Sequence, residues 1–157
     1  MIKTGLGYDV HQLTEGEKLI LGGVQIPSEV GAIGHSDGDV LVHAIVDALL
    51  GAANLGDIGK FFPSENEQWK NADSLHFLSV AGEKVRGAGF EINHIDSVII
   101  LQKPKLSGFI PEMEYKIAYT LQLDEAQVSV KATSTDHLGY IGAGKGIAAQ
   151  AIATIEG

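Results

Sequence analysis

Cysteine is absent from the 157 residues. That absence excludes disulfide staples, thiol nucleophiles, thiolate zinc sites and iron–sulfur clusters, and it leaves the redox compartment open. Basic residues are short as well: 11 Lys and Arg stand against 20 Asp and Glu, a formal net charge of −9. An acidic chain is a poor binder of nucleic acid or of an anionic membrane surface, although a local basic pocket can still hold an anionic ligand. The opening residues, MIKTGLGYDVHQL, lack the apolar centre of a signal peptide. No apolar run approaches the ~18 residues of a membrane span. Linkers, internal repeats and blocks of like charge are missing too. A cytoplasmic protein of one domain, residues 1–157, is the expectation, since a chain of this length buries a core unaided.

What is present in excess is glycine. Twenty in 157 is about 13%, against a usual ~7%. The glycines punctuate the chain singly or in pairs, which implies backbone turned tightly or brought close to something at defined points. Residues 1–12 read as a strand, and Lys18-Leu19-Ile20-Leu21-Gly22-Gly23-Val24 as a second. From Ser36, an expected N-cap with Asp39 three residues on, apolar residues recur at helical spacing towards Gly51. Further helices are expected over 74–86 and 107–123, the latter with Pro111 in its first turn. Buried and alternating strands are expected over 90–102 and 128–133. The tail, 146–155, fits a helix by its alanines and a strand by its alternation. Interleaved strands and helices make this an α+β chain.

Asp9 and His11 lie two apart on a strand and so project together. A metal needs a third ligand, and His43 on the first helix offers one. Two imidazoles and a carboxylate, without thiolate, make an open zinc site that keeps a position for substrate. Asp39, His43 and Asp47 fall at i, i+4 and i+8, so Asp39 or Asp47 is expected to take the other ring N–H of His43. Gly56-Asp57-Ile58-Gly59 leaves that helix as a glycine-bracketed loop with donors and a carboxylate for hydroxyl groups. Thr133-Ser134-Thr135-Asp136 at a strand end suits phosphate oxygens and a hard cation such as Mg²⁺. Gly142-Ala143-Gly144-Lys145-Gly146 lacks the spacing of a Walker loop and reads as a tight connection into the last element.

Gly7-Tyr8-Asp9-Val10-His11, the stretch His35-Ser36-Asp37-Gly38-Asp39 with His43 downstream, and Gly56-Asp57-Ile58-Gly59-Lys60-Phe61-Phe62-Pro63 resemble 2-C-methyl-D-erythritol 2,4-cyclodiphosphate synthases. Gln102-Lys103-Pro104-Lys105 and Lys131-Ala132-Thr133 extend the resemblance over nearly the whole chain. It implies an enzyme of the non-mevalonate isoprenoid pathway that converts 4-diphosphocytidyl-2-C-methyl-D-erythritol 2-phosphate to the cyclic diphosphate with release of CMP. It also implies a four-stranded mixed sheet with helices packed on one face, a strand at the tail, and a homotrimer with active sites between subunits. Asp9, His11 and His43 would hold Zn²⁺ (or Mn²⁺ or Co²⁺), and Asp136 a Mg²⁺ bridging the substrate diphosphate. His35, Ser36, Asp57, Ile58, Gly59, Phe62, Ser64 and Asn66 would line the methylerythritol-phosphate side. Leu101, Pro104, Lys105, Leu106, Ala132, Thr133 and Ser134 would line the cytidine side, with Val10 and Tyr140 as further substrate contacts. His35 and Ser134 would be the catalytic donors. The chain departs from the family pattern with Asp136 for Glu, Ser134 for Thr, Ser64 for Asp and Ala143 for Arg.

Two other classes share these residues. A zinc phosphohydrolase would use a metal-bound water, but no His-Glu-x-x-His base accompanies the ligands. A non-catalytic trimeric nucleotide or isoprenoid sensor would have little use for His35, Asp57 and a full ligand triad.

Overall fold

Strand alternation sets the architecture from the first element. Along β1 (Ile2–Glu15), Gly5, Gly7, Asp9, His11 and Leu13 face one side, and Leu6, Tyr8 and Val10 the other. The computed structural model describes residues 1–157. After β1 come β2 (Leu19–Leu21), β3 (Val24–Ile26), β4 (Val30–Ala32), α1 (Val40–Ala52), α2 (Ile58–Phe61), α3 (Ser74–Gly87), β5 (Glu91–Ile100), α4 (Ile110–Leu121), β6 (Val128–Thr133), α5 (Gly139–Gly142) and β7 (Gly146–Glu156). The sheet has five strands in the order β4-β1-β7-β5-β6, and β2 and β3 form a separate hairpin. Only the β5–β6 pair is parallel, so the sheet is mixed.

The expected four-stranded sheet is therefore corrected to five. The extra strand is β4, which pairs with the far end of β1 through Leu13 and Ala32. Three residues with a central glycine are too short to carry a period, so β4 is invisible to patterning. The run from Lys18 to Val24 is likewise not one strand: it folds back at Gly22 and Gly23 into the β2–β3 hairpin. The tail is a strand throughout, closing the sheet between β1 and β5.

Helix α1 lies against β1 and β7, α3 packs across α1, and α4 packs against α3 and β6. Ten of the buried apolar side chains of the core come from α1 alone, among them Leu41, Ile45, Leu49 and Leu50. Burial of each leucine, isoleucine or valine among them contributes about 2 kcal/mol. The approach of α1 to β1 is set by two glycines. A Cβ on Gly5 would lie 1.9 Å from the Ala48 carbonyl oxygen, and one on Gly7 1.8 Å from that of Ala44. Only a hydrogen fits there, and the helix residue beside Ala44 is His43.

The N-cap of α1 is Asp39, not Ser36. Its side chain accepts from the Val42 amide at 3.1 Å and, on the other side, from the Gly22 and Gly23 amides at 3.0 and 2.8 Å. Fully buried, it ties the hairpin to the helix start. The opposite sheet face carries none of the three long helices and exposes Leu6, Tyr8, Val10 and Ile152, with only Tyr140 of α5 reaching Tyr8. No helix is long and apolar enough to cross a membrane.

Candidate active site

Asp9 and His11 project from the helix-facing side of β1 and meet His43 from the first turn of α1. Asp9 Oδ2 lies 2.8 Å from His11 Nε2 and 3.1 Å from His43 Nδ1. The three ligand atoms fall within 4.8 Å of one another, each half-buried. The far side of each ring fixes its hydrogens. His11 Nδ1 sits 2.9 Å from the Ile33 carbonyl, which can only accept, so Nδ1 carries the hydrogen and the Nε2 lone pair faces Asp9. A lone pair aimed at a carboxylate calls for a proton or a cation between them. Two imidazole nitrogens and one carboxylate oxygen are a donor set that suits zinc, and the residues therefore fit the ion.

The electrostatics agree. Burial pushes Asp9 up, but the hydrogen bonds and charge of His11 and His43 outweigh it and hold the carboxyl at about 2. Burial also opposes charge on His11, yet Asp9 beside it raises the imidazole above its ordinary value. Asp39 is pushed up to about 6 by burial and by the charge of Asp37, against the pull of its backbone donors.

The expected support for His43 is corrected. Asp39 is committed to the hairpin, and Asp47 accepts from the Ile58 amide at 2.7 Å, steering the chain into α2. His43 Nε2 instead meets Ser74 Oγ at 2.8 Å and Ser36 Oγ at 3.1 Å. The sequence gives no hint of Ser74, whose only legible role is to begin α3.

Beside the three ligands opens a cavity of about 210 Å³ lined by His11, His35, Ser36, His43, Ile58, Gly59, Phe62, Ser64, Trp69 and Phe77. Its apolar wall is an aromatic cluster, with Phe62 stacked on Phe77 at 4.3 Å and Trp69 edge-on to both. Trp69 and Phe77 are further lining residues that none of the sequence motifs singles out. His35 Nε2 donates to the Asn66 carbonyl at 2.8 Å, which pins the loop over the cavity. Asp57 caps α2 through the Lys60 amide.

A second cavity, about 390 Å³, gathers Leu101, Pro104, Lys105, Leu106, Ala132, Thr133 and Ser134 at the ends of β5 and β6. Beyond Ser134, Asp136 and His137 adopt left-handed backbone (φ 52° and 67°), and the His137 amide donates to Gln102 Oε1 at 3.0 Å. Asp136 lines neither cavity. Val10 and Tyr140 lie apart from both as well: Val10 is on the open sheet face, and the Tyr140 hydroxyl sits 3.4 Å from that of Tyr8.

The register gives the distance between the two cavities. Asp9 pairs with Ala149, Ala149 with Ile99, and Ile99 with Ala132. Three strand spacings separate the metal ligands from the β6 end, about 14 Å.

The sequence profile of the YgbB family matches residues 2–156. The chain belongs to the YgbB family. Among YgbB relatives, the 2-C-methyl-D-erythritol 2,4-cyclodiphosphate synthase of Shouchella clausii is 52% identical over 156 residues, covering 99% of this chain and 98% of its own. That of Halalkalibacterium halodurans is 53% identical over 152 residues, covering 97% of each. A solved 2C-methyl-D-erythritol-2,4-cyclodiphosphate synthase in a CDP-bound form superposes with a TM-score of 0.90 at 34% identity, over 98% of this chain and 100% of that one. The bifunctional IspDF of Campylobacter jejuni gives a TM-score of 0.95 at 47% identity over 99% of this chain, which spans 42% of that larger protein.

Proposed function

We propose that the chain converts 4-diphosphocytidyl-2-C-methyl-D-erythritol 2-phosphate to 2-C-methyl-D-erythritol 2,4-cyclodiphosphate and CMP. The observation that carries this is the convergence of Asp9, His11 and His43 beside a small, partly apolar cavity, in a chain matched end to end by synthases of that name. Residues 1–157 act as one catalytic domain.

The reaction is intramolecular. A 2-phosphate oxygen attacks the β-phosphorus, the new P–O bond closes an eight-membered ring, and the bond to the α-phosphate oxygen breaks with its electron pair leaving on CMP. A phosphate monoester is already anionic, so no strong base is needed. The barrier lies in bringing anions together and in folding a flexible chain into a ring, which makes positioning and charge neutralisation the protein's work. When bound, Zn²⁺ (or Mn²⁺ or Co²⁺) at Asp9, His11 and His43 and Mg²⁺ near Asp136 supply Lewis-acid neutralisation of phosphate oxygens.

The chain's own groups do the rest. Phe62, Trp69 and Phe77 exclude water from one wall, and a branched methyl suits that surface. Ser36 presents a hydroxyl beside His43. His35, whose Nε2 hydrogen is directed at a carbonyl in the free protein, is placed to redirect it to a phosphate oxygen. Leu101, Pro104 and Leu106 give the cytosine an apolar slot, with the Lys105 ammonium and the Ser134 hydroxyl for the diphosphate.

One substrate must touch both cavities, and about 14 Å of sheet divides them within one protomer. A homotrimer that sets the metal half of one subunit against the cytidine half of the next closes that gap. The exposed apolar face bearing Leu6, Tyr8, Val10 and Ile152 is the surface such an assembly would cover.

The test is a single assay. Metal-replete protein given the cytidine substrate is expected to yield CMP and cyclic diphosphate in equal amounts, and His43→Ala to lose both bound metal and turnover while remaining folded. Linear phosphate product would indicate a phosphohydrolase instead. Nucleotide binding without turnover would indicate a sensor.

A further inference from the structure

Ser74 is the first residue of α3 and is wholly buried. Its Oγ lies 2.8 Å from His43 Nε2 and also hydrogen-bonds Asp37 Oδ1, while its amide donates to Asp37 Oδ2 at 2.9 Å. The carboxylate of Asp37 can only accept, so the single hydroxyl hydrogen of Ser74 goes to Asp37. Towards His43 the Ser74 oxygen then has only lone pairs. His43 must carry its hydrogen on Nε2 and turn the Nδ1 lone pair to Asp9 and His11. Ser36 Oγ, 3.1 Å from the same nitrogen, imposes no such choice, because its hydroxyl has no acceptor to hold its hydrogen away from the ring.

Capping does not require this arrangement. Asp73 already caps α3 by accepting from the Leu75 amide at 2.9 Å. Asp37 is held in place by its own amide, which donates to the Ala72 carbonyl at 3.0 Å, and by the Asp39 amide donating to it at 3.1 Å. The carboxylate is thus fixed from two sides, and its oxygens are aimed at Ser74.

We propose that Asp37 and Ser74 are positioning residues of the metal centre: Asp37 orients the Ser74 hydroxyl, and Ser74 fixes the tautomer and ring plane of His43. The inference rests on the metal reading of Asp9, His11 and His43 given above. Groups that hold the far nitrogen of a ligating imidazole contribute about 10–100-fold to metal affinity. Because Asp37 acts only through Ser74, the two contributions do not multiply.

The experiment measures Zn²⁺ affinity by competition with a chromophoric chelator, and the visible absorption of the Co²⁺-loaded protein. It compares wild type, Asp9→Ala, Ser74→Ala, Asp37→Asn and the Ser74→Ala/Asp37→Asn double variant, each confirmed folded by circular dichroism. Ser74→Ala and Asp37→Asn are each expected to weaken Zn²⁺ binding about 10–100-fold and to shift the Co²⁺ band. The double variant is expected to bind no more weakly than Ser74→Ala. Should Ser74→Ala not fold, Asp37→Asn carries the affinity and spectral comparison by itself. Affinity within twofold of wild type in both single variants, with Asp9→Ala inactive in binding, overturns the inference and leaves the metal reading standing. A double variant whose loss equals the product of the single losses also overturns it. A wild type that binds no metal overturns the metal reading and this inference with it.

Discussion

His11 keeps its lone pair on Nε2 because a main-chain carbonyl takes the other nitrogen's hydrogen, and this makes metal binding a contest with protons. Asp9 raises the His11 imidazole above its ordinary value against the opposing effect of burial, so on the acid side of that raised pKa a proton occupies the nitrogen that a metal needs. Below that pKa each metal ion must displace at least one proton. Apparent Zn²⁺ affinity is expected to fall about tenfold per pH unit once pH drops below the raised His11 pKa and to level off above it. Competition titrations from pH 5.5 to 8.5 check this, and a flat profile would contradict it. Much of this chemistry is legible in the sequence, because Asp9-Val10-His11 fixes two ligands by strand alternation alone. What holds the rings is not legible. Ser74 lies 31 residues from His43, and the Ile33 carbonyl is backbone, which no residue type announces.

Between elements, the decisive contact is the seating of α1 on β1. The glycine excess signals close approach somewhere, and Gly5 and Gly7 are where it is needed. A methyl at Gly7 would overlap the Ala44 carbonyl, forcing α1 outward and drawing His43 from Asp9. Gly7→Ala is expected to cost about 2–4 kcal/mol in urea unfolding and to weaken metal binding at least about tenfold. Gly51→Ala, at the other end of α1 with no atom within 4 Å of the added carbon, serves as the control and should leave both properties nearly unchanged. The start of α1 carries a pH signature of its own. Asp39 has a folded pKa of about 6 against 3.8 unfolded, so the folded state binds its proton more tightly. Its contribution is therefore fully present below pH 3.8 and is lost as pH rises through 6, a change of order 3 kcal/mol. Asp39→Asn should flatten the stability profile between pH 4 and 6 in urea unfolding series, and an unchanged slope would count against the assignment. Patterning places the helix start three residues early. Ser36 and Asp39 are both good caps by type, and only the hairpin amides of Gly22 and Gly23 select between them.

At the scale of the molecule, β1, β5, β6 and the three longer helices announce themselves by period, whereas β7, rich in alanine, reads equally as helix or strand until it pairs with β1 and β5. The three-residue strands escape, because they are held by pairing rather than by pattern. The open sheet face escapes as well: alternation tells which side chains share a face, not whether anything covers them. If the two halves of the site come from different subunits, complementary defects should rescue each other. Asp9→Ala damages the metal half, and a Ser134→Ala/Asp136→Asn variant damages the cytidine half. Mixed one to one with free exchange, they should regain about a quarter of wild-type sites, since each mixed cyclic trimer contains one sound interface. Mass spectrometry confirming exchange without any return of CMP release would refute the split site. The 14 Å between the cavities then reaches into dosage. A chain bearing both defects would silence two of the three sites in any trimer it joined, so a faulty copy would act dominantly over sound ones. Turnover per chain would also collapse on dilution, by mass action, before a single protomer had unfolded.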